Sequence, residues 1–367
     1  MKLFDVKQEN GKVALNIFGV RISIGSNRFS VNKRIKDADV VHIMFNDKFN
    51  KPFVDMLNRN FDPSKHLVLC KRWFDSEATP FPEGKNVVEI KKLKNYNLNN
   101  AKKIICHSLF DSELVDLLHK TPALLKKSYW AMWGGDLYKA PRDKQNDFVR
   151  KNLKGYINAI DKDYAIDKYG MEGLFFDAQY NFPITKQMLD NSTKENSDGI
   201  KIQINNSCDS STIEILEMIS KFKDENIKVV TILSYGDLSY KEEIISRGRN
   251  ILGKKFEYVD KMMPPNEYAQ HLAQNDILIL NQNRQQGLGN ILASLYMGQK
   301  VFIRKEVSVN GYLNNQDIKI YDTQDMGKSD FQEFIKYDEK EKTCKNVSKY
   351  FEEEYWKSLW RLVFDEK

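Results

Sequence analysis

Short apolar runs alternate with amphipathic, polar-faced segments along most of this chain. From Asp39 onward the rhythm is strand, loop, helix. Val40 to Phe45 is a buried strand, followed by a polar loop at Asn46-Asp47 and a helix over Lys51 to Arg59. Further strands are predicted over 65–71, 86–91, 103–107 and 127–132, with a helix from Asp111 to Leu118. Residues 143–169 read as helical and charged, and the pattern breaks at Tyr180-Asn181-Phe182-Pro183. A second series then begins. Strands are predicted at 200–204, 228–233, 256–259, 276–280 and 301–303, and helices at 212–223, 240–252, from Pro264, and up to Met297. Apolar strands alternating with helices predict parallel α/β sheets. The expectation is two successive Rossmann-like domains, 38–182 and 183–337. They are preceded by a small β appendage over 1–37, with a turn at Asn10-Gly11 and a break at Gly19, and followed by a C-terminal segment, 338–367. In that segment Phe351, Tyr355, Trp356, Leu359, Trp360 and Val363 fall near helical spacing, which predicts a helix packing back on the body. The other reading is an aromatic contact with a membrane surface.

In an open α/β sheet, ligands bind beyond the carboxyl ends of the strands. That rule selects Asn46-Asp47, His107-Ser108 and Gly134-Gly135-Asp136 in the first half. In the second half it selects Asn206-Ser207, Ser234-Tyr235-Gly236 and Arg284 to Asn290. The run Trp130-Ala131-Met132-Trp133-Gly134-Gly135-Asp136-Leu137-Tyr138 does not read as a plain core strand. Its glycines break the strand, and Asp136 just beyond them is either a turn cap or a side chain facing a cleft. Arg284-Gln285-Gln286-Gly287-Leu288-Gly289-Asn290 joins a buried strand to a helix. Gly287 and Gly289 let backbone approach a ligand, the helix N-terminus suits a phosphate, and Arg284 can pair with a diphosphate. Asn206-Ser207 is a second phosphate candidate and also an ordinary helix N-cap. His107, Asp47 and Asp136 each have a structural reading, as a satisfied core histidine and two caps. Together, at three strand ends, they point to acid/base chemistry.

Charge is more informative here than composition. The net charge is +6 over 367 residues. Residues 1–182 hold 31 Lys+Arg against 22 Asp+Glu, or +9, and the remainder holds 26 against 29, or −3. A basic first half suits an anionic partner. The four cysteines, Cys70, Cys106, Cys208 and Cys344, lack CxxC spacing, so neither disulfides nor a structural zinc site is expected. No carboxylate cluster or HxxxH spacing suggests a metal, and the expectation is metal-independent chemistry without a cofactor. No run of about 18 apolar residues occurs and the N-terminus lacks a signal-peptide core, so a cytoplasmic protein is expected. No GxGxxG fingerprint or P-loop occurs.

Trp130-Ala131-Met132-Trp133-Gly134-Gly135-Asp136-Leu137-Tyr138 resembles the W-H-x-W-G-x-D-L-Y run of glycosyltransferase family 56, the 4-acetamido-4,6-dideoxy-D-galactose (Fuc4NAc) transferases. Arg284-Gln285-Gln286-Gly287-Leu288-Gly289 is similar to that family's R-Q-Q-G-I-G, and Asn206-Ser207 with Asp209 to its N-S-x-D loop. His107 with Phe110 resembles its H-G-Q-F segment, and Asp47 falls where the family has an early S-D loop. Tyr235, Tyr268 and Asp276 are also in step, and the likeness covers roughly residues 38–310. It implies a GT-B fold, with two Rossmann-like domains facing a central cleft and the donor bound by the second. It implies transfer of a deoxyamino sugar from a dTDP-linked donor to a polyprenyl-diphosphate-linked or other glycan acceptor, at the cytoplasmic surface of the bacterial inner membrane. On this reading Arg284, Gln285, Gln286, Gly287, Gly289, Asn290, Asn206, Ser207 and Tyr235 bind the donor. Trp130, Trp133, Gly134, Gly135 and Tyr138 line the acceptor side. Asp136 or His107 is the base, with Asp47 orienting the hydroxyl. Two departures stand out: the family's His is Ala131 here, and the Gly before N-S is Asn205.

Two other readings use the same features. A nucleotide-sugar epimerase shares the two-domain architecture and would react without an acceptor. A nucleic-acid-binding protein would use the basic half and show steep salt dependence, but no helix-turn-helix or RNP-like motif is present, so no nucleic-acid partner is expected.

Overall fold

The computed structural model of the chain describes residues 4–9, 12–17, 20–47, 49–72, 80–139, 141–180, 182–196 and 198–366, with side chains from Arg28 onward. The turn expected at Asn10-Gly11 and the break at Gly19 lie outside the described residues. The chain divides into two compact units, residues 1–181 with 357–367, and residues 182–356. The terminal stretch 338–367 is therefore shared between the units rather than forming a segment of its own.

The first unit opens with an antiparallel sheet of β1 (Phe4–Glu9), β2 (Lys12–Ile17) and β3 (Val20–Gly25). The expected β appendage ends there, because Ser26–Asp37 is a helix. Val31 and Ile35, one turn apart, are buried in the core of the unit. The main sheet is parallel and seven-stranded, in the order β10-β9-β8-β7-β4-β5-β6. Its members are β4 (Val40–Phe45), β5 (His66–Lys71), β6 (Val87–Ile90), β7 (Lys103–Cys106), β8 (Ser128–Ala131), β9 (Gly155–Ile157) and β10 (Leu174–Phe176). β9 corrects the reading of 143–169 as helical, since it separates helices Lys144–Lys151 and Lys162–Tyr169, and β10 follows beyond them. Three residues are too few for an alternation to show in sequence.

Alternate residues of each strand face opposite sides, and both sides are covered. Ile43, Leu69, Cys106, Trp130 and Tyr156 belong to one core. Val40, Met44, Val68, Cys70, Ile105, Tyr129 and Ala131 belong to the other, together with Trp360 and Val363 of the last helix, Glu353–Asp365. That helix is tied down at its end by Lys103, whose ammonium donates to the carbonyls of Val363 at 2.6 Å, Phe364 at 3.1 Å and Glu366. A cation on the last carbonyls satisfies groups that helix geometry leaves unpaired.

The second unit is a five-stranded parallel sheet in the order β13-β12-β11-β14-β15. The strands are β11 (Ile200–Ile204), β12 (Ile227–Ile232), β13 (Phe256–Val259), β14 (Ile277–Leu280) and β15 (Lys300–Ile303). Ile202, Ile204, Val229, Ile277 and Ile279 form the centre of its core. In both sheets the strand order reverses beside the first strand of the main series, between β4 and β7 and between β11 and β14. Loops diverge at such switch points and leave a crevice.

Candidate active site

At the first switch point, β4 runs into Asn46-Asp47 and β7 into His107-Ser108. His107 is 1% exposed, and both its ring nitrogens are engaged. Nε2 lies 2.9 Å from His42 Nδ1, and Nδ1 lies 2.5 Å from the Tyr180 hydroxyl. Burial holds its imidazole neutral, pulling the pKa down to about 3. Ser108 has a φ of +97°, outside the regions an L-residue ordinarily adopts. Its buried hydroxyl has no hydrogen-bond partner among the described residues.

Asp136, expected either as a turn cap or as a side chain facing a cleft, turns inward and takes up N–H groups of its own and the neighbouring loop. Gly134, at φ +67°, turns the chain into the short helix Gly135–Tyr138. The turn directs the Asp136 carboxylate inward, where it is 1% exposed. Oδ1 accepts from the Trp133 N–H at 2.8 Å, and Oδ2 accepts from the Leu109 N–H at 2.9 Å and from Trp130 Nε1 at 2.7 Å. Burial raises its pKa, and these three donors oppose that rise. The carboxylate thus clasps the β7 and β8 loops together.

The acceptor-side residues separate in the same way. Trp130 is fully buried in the core on the opposite face of the sheet, and Tyr138 packs against Tyr164, ring centres 4.4 Å apart, and donates to Asp161 at 2.6 Å. Trp133 instead joins a cluster with Phe49 and Tyr180, its ring 5.6 Å and 5.3 Å from theirs. Its buried Nε1 makes no well-formed hydrogen bond among the described residues. A Cβ at Gly135 would meet the tip of the exposed Phe110 ring at 2.8 Å, so the two loops approach closely there. Asp47 stays half-exposed and accepts from the Phe49 N–H at 3.1 Å. Burial pushes the Tyr180 phenol well up; the neighbouring Trp133 indole opposes that rise, and the Asp136 and Asp47 charges add to it. The first unit therefore gathers Asp47, His107, Trp133 and Tyr180, and sets Trp130 and Tyr138 apart. Sequence reasoning missed His42, His66 and Tyr180. Histidines inside otherwise apolar strands, on one face of the sheet, were the signal available.

At the second switch point the Asn206 and Gly287 loops meet. Gly287 has a φ of +71°, and a Cβ there would lie 1.8 Å from Asn206 Nδ2. That buried amide nitrogen has no partner among the described residues. Gln286 Nε2 donates to Ser207 Oγ at 2.6 Å. The helix Leu288–Tyr296 begins immediately after, and a Cβ at Gly289 would press on Phe182 at 2.9 Å. Arg284, Gln285 and Asn290 are half-buried, and their side chains make no hydrogen bond among the described residues. Tyr235 is 42% exposed; partial burial raises its phenol and the Arg284 guanidinium pulls it back, which places the cation within electrostatic reach. Asn205 explains one departure. It adopts φ +48°, a left-handed conformation natural to glycine and, among L-residues, to asparagine. Its side chain also ties the crevice, donating to Thr212 Oγ1 at 2.8 Å and accepting from the Asn281 N–H at 2.9 Å. Beneath lies a network invisible in the sequence, in which Arg304 donates to Glu214 and to Asn281 Oδ1 at 3.0 Å.

Two switch-point crevices, one carrying buried and half-buried acid/base groups and one a helix N-terminus with a nearby arginine, fit transfer chemistry on an anionic donor. The family model described as 4-alpha-L-fucosyltransferase, glycosyl transferase group 56, matches residues 38–364. The chain belongs to glycosyltransferase family 56. It is a glycosyltransferase of GT-B fold. Among solved structures it is similar to a glycosyltransferase from Rickettsia africae ESF-5, at 11% identity and TM-score 0.60, over 89% of this chain and 98% of that one. WaaG, a glycosyltransferase involved in lipopolysaccharide biosynthesis, matches at 9% identity and TM-score 0.54, over 89% and 98%. A protein of Listeria monocytogenes described as a UDP-N-acetylglucosamine 2-epimerase matches at 9% identity and TM-score 0.52, over 89% and 96%. At such identities these likenesses establish the fold of the glycosyltransferase, and the family match establishes its class. No curated protein sequence matches the chain.

Among the described residues no group of three His, Cys, Asp or Glu side chains is arranged to hold a metal ion, and no helix is long and apolar enough to cross a membrane.

Proposed function

We propose that this glycosyltransferase moves a Fuc4NAc-like deoxyamino sugar from a dTDP-linked donor to a polyprenyl-diphosphate-linked or other glycan acceptor of bacterial surface polysaccharide assembly. On this reading it works peripherally at the cytoplasmic surface of the inner membrane, with no metal cofactor and no nucleic-acid partner. The observation that carries the donor half is the crevice at Gly287. Backbone with positive φ there lies against the unpaired Asn206 amide and the first turn of a helix, and Arg284, three residues earlier in the loop, acts on the neighbouring Tyr235. Positive charge and free N–H groups at one point suit a diphosphate. Arg284, Asn206, Ser207, Gly287 and Gly289 hold it, with Gln285, Gln286, Asn290 and Tyr235 around it. The family's description as a fucosyltransferase supports a 6-deoxy sugar, and the excess of +9 in residues 1–182 supports an anionic acceptor. WaaG's role in lipopolysaccharide biosynthesis supports a surface glycan as product.

In the first unit, Asp47 orients the acceptor hydroxyl and Trp133 packs against the acceptor. Asp136 positions the loop that carries Trp133. Acting itself as base, it would need that loop to open.

A thermal-shift panel of dTDP, UDP, GDP and CMP tests the donor assignment. At a hundredfold excess over Kd, a bound nucleotide stabilises by about 2.7 kcal/mol. Stabilisation by dTDP alone, lost in Arg284→Ala, is the expected result; stabilisation by UDP or GDP alone overturns the dTDP assignment. Sugar isomerisation without any acceptor would show epimerase chemistry instead.

A further inference from the structure

Four side chains not joined in sequence form one hydrogen-bonded line through the first unit. His66 stands at the start of β5, His42 in the middle of β4, His107 just past β7, and Tyr180 beyond β10. His66 Nδ1 lies 3.1 Å from His42 Nε2, His42 Nδ1 lies 2.9 Å from His107 Nε2, and His107 Nδ1 lies 2.5 Å from the Tyr180 hydroxyl. Every ring nitrogen of His42 and His107 is used within the line. His42 is 0% exposed, His107 1% and His66 6%, so the His66 end is the less sealed. The neighbouring positions on that face of the sheet are apolar: Val40, Met44, Val68, Cys70 and Ile105. Phe53 and Trp360 wall the line, with ring centres 4.7 Å and 6.2 Å from His107.

A neutral imidazole offers one donor and one acceptor. A line of three neutral rings and one phenol can then be fully satisfied in only two ways. In one, Tyr180 donates inward and every later proton points toward His66. In the other, all the bonds are reversed and Tyr180 accepts. A shift between the two moves one proton's worth of charge along the line while each ring stays neutral. A charged ring would be disfavoured, since burial is the main force lowering all three histidines below their ordinary range. The nitrogens pair with one another at hydrogen-bond distance and converge on no common point, as a metal centre would require.

At the Tyr180 end the surroundings are unfinished. Trp133 Nε1 and Ser108 Oγ are both buried and make no well-formed hydrogen bond among the described residues. Asp47 and Asp136 are close enough to act on the phenol. Buried polar atoms are rarely left unpaired, and the Trp133 indole beside the phenol, with the Ser108 hydroxyl next in the chain to His107, suits a ligand hydroxyl.

We propose that Tyr180 takes the proton of the acceptor hydroxyl, and that His107, His42 and His66 relay a proton away from it as neutral rings. This rests on the glycosyl-transfer reading. As the acceptor oxygen bonds the anomeric carbon, the bond from that carbon to the diphosphate oxygen breaks, and its electron pair leaves on the diphosphate. The acceptor proton passes to Tyr180 Oη. The original Tyr180 proton passes to His107 Nδ1, the His107 Nε2 proton to His42 Nδ1, and the His42 Nε2 proton to His66 Nδ1. The His66 Nε2 proton leaves to water. Tyr180 is the catalytic residue in this scheme, and the three histidines are positioning and relay residues.

The test uses the full chain with Tyr180→Phe and His42→Gln, compared for kcat, acceptor KM, nucleotide binding and solvent isotope effect. Glutamine keeps a donor and an acceptor at position 42 but cannot pass a proton on. The expected result is a fall in kcat of about 10²-fold in both variants, with nucleotide affinity unchanged. The native enzyme should show a curved proton inventory that becomes linear in His42→Gln. A His42→Gln enzyme with native kcat and a native inventory overturns the relay, and a Tyr180→Phe enzyme with native kcat overturns Tyr180. Histidine ¹⁵N spectra of the resting protein give a separate reading: three neutral rings near pH 7 are expected, and an imidazolium at any of them overturns the neutral scheme. If the native chain neither binds a nucleotide nor transfers a sugar, it is the parent reading that fails.

Discussion

Replacing Asp136 separates a loop fastener from a base. Asp136→Ala strands three buried donors, the N–H groups of Leu109 and Trp133 and the indole of Trp130. Leaving a buried donor unsatisfied costs about 1–3 kcal/mol. Three such losses would total about 3 kcal/mol at the low end of that range. Part is offset, because the carboxylate itself is disfavoured by burial, as its raised pKa shows. Asp136→Asn is gentler. Its oxygen can keep the Leu109 and Trp130 bonds, but its amide then faces the Trp133 N–H, which loses its acceptor for about 1–3 kcal/mol. For a unit of this size each kcal/mol lowers Tm by about 2–4 °C. The expected fall is therefore about 6 °C or more for alanine and a few degrees for asparagine. Calorimetry of the full chain measures it, with nucleotide binding to the second unit as an internal control that should not change. Asp136→Asn with an unshifted Tm and a kcat lowered by about 10³-fold would make the carboxylate a base and not a loop fastener.

Gly287→Ala should abolish nucleotide-induced stabilisation, since φ +71° strains an alanine and its Cβ would press on the Asn206 amide; calorimetry with and without dTDP checks it. Lys103→Met should cost about 2–4 kcal/mol in urea denaturation by releasing the carbonyls at the end of the helix that carries Trp360. Stability should fall as pH drops. His66, held at about 4, and His107, held at about 3, stay neutral in the fold while the unfolded chain takes up protons below its ordinary pKa of about 6.5. Their contribution is complete above pH 6.5 and is lost on acidification toward pH 4, at up to about 1.4 kcal/mol per pH unit for each ring. Urea midpoints between pH 7 and pH 4 should show this slope, and His66→Gln should flatten it.

Much of the site is legible in the amino-acid sequence because its signals are local. Glycines that relax the backbone sit at Gly134 and Gly287, and both positions have positive φ. A strand ending, a polar pair and a helix start mark Asn206-Ser207 and Arg284 to Asn290, since strand and helix periods show in the apolar spacing itself. The family resemblance rests on these same stretches.

The tertiary structure decided which of those residues meet. Strand order puts β4 beside β7, so His42 and His107, 65 positions apart, share a hydrogen bond. No local pattern carries that adjacency, because pairing is a contact between distant segments. The turn at Gly134 sends the Asp136 side chain inward, and side-chain parity along β8 sends Trp130 and Ala131 to opposite cores of a sheet covered on both faces. Where both faces are buried, alternation does not distinguish them in the sequence. Tyr180 falls in a stretch that reads only as a break between domains, and it gained its neighbours from the ends of β7 and β8, the helix Asn50–Asn60 and the last helix. Local apolar spacing is enough to specify the two parallel α/β sheets and the loops at their carboxyl ends. Only the packing of strands far apart in the chain decided which acid, ring or hydroxyl faces inward and which remains open to a substrate.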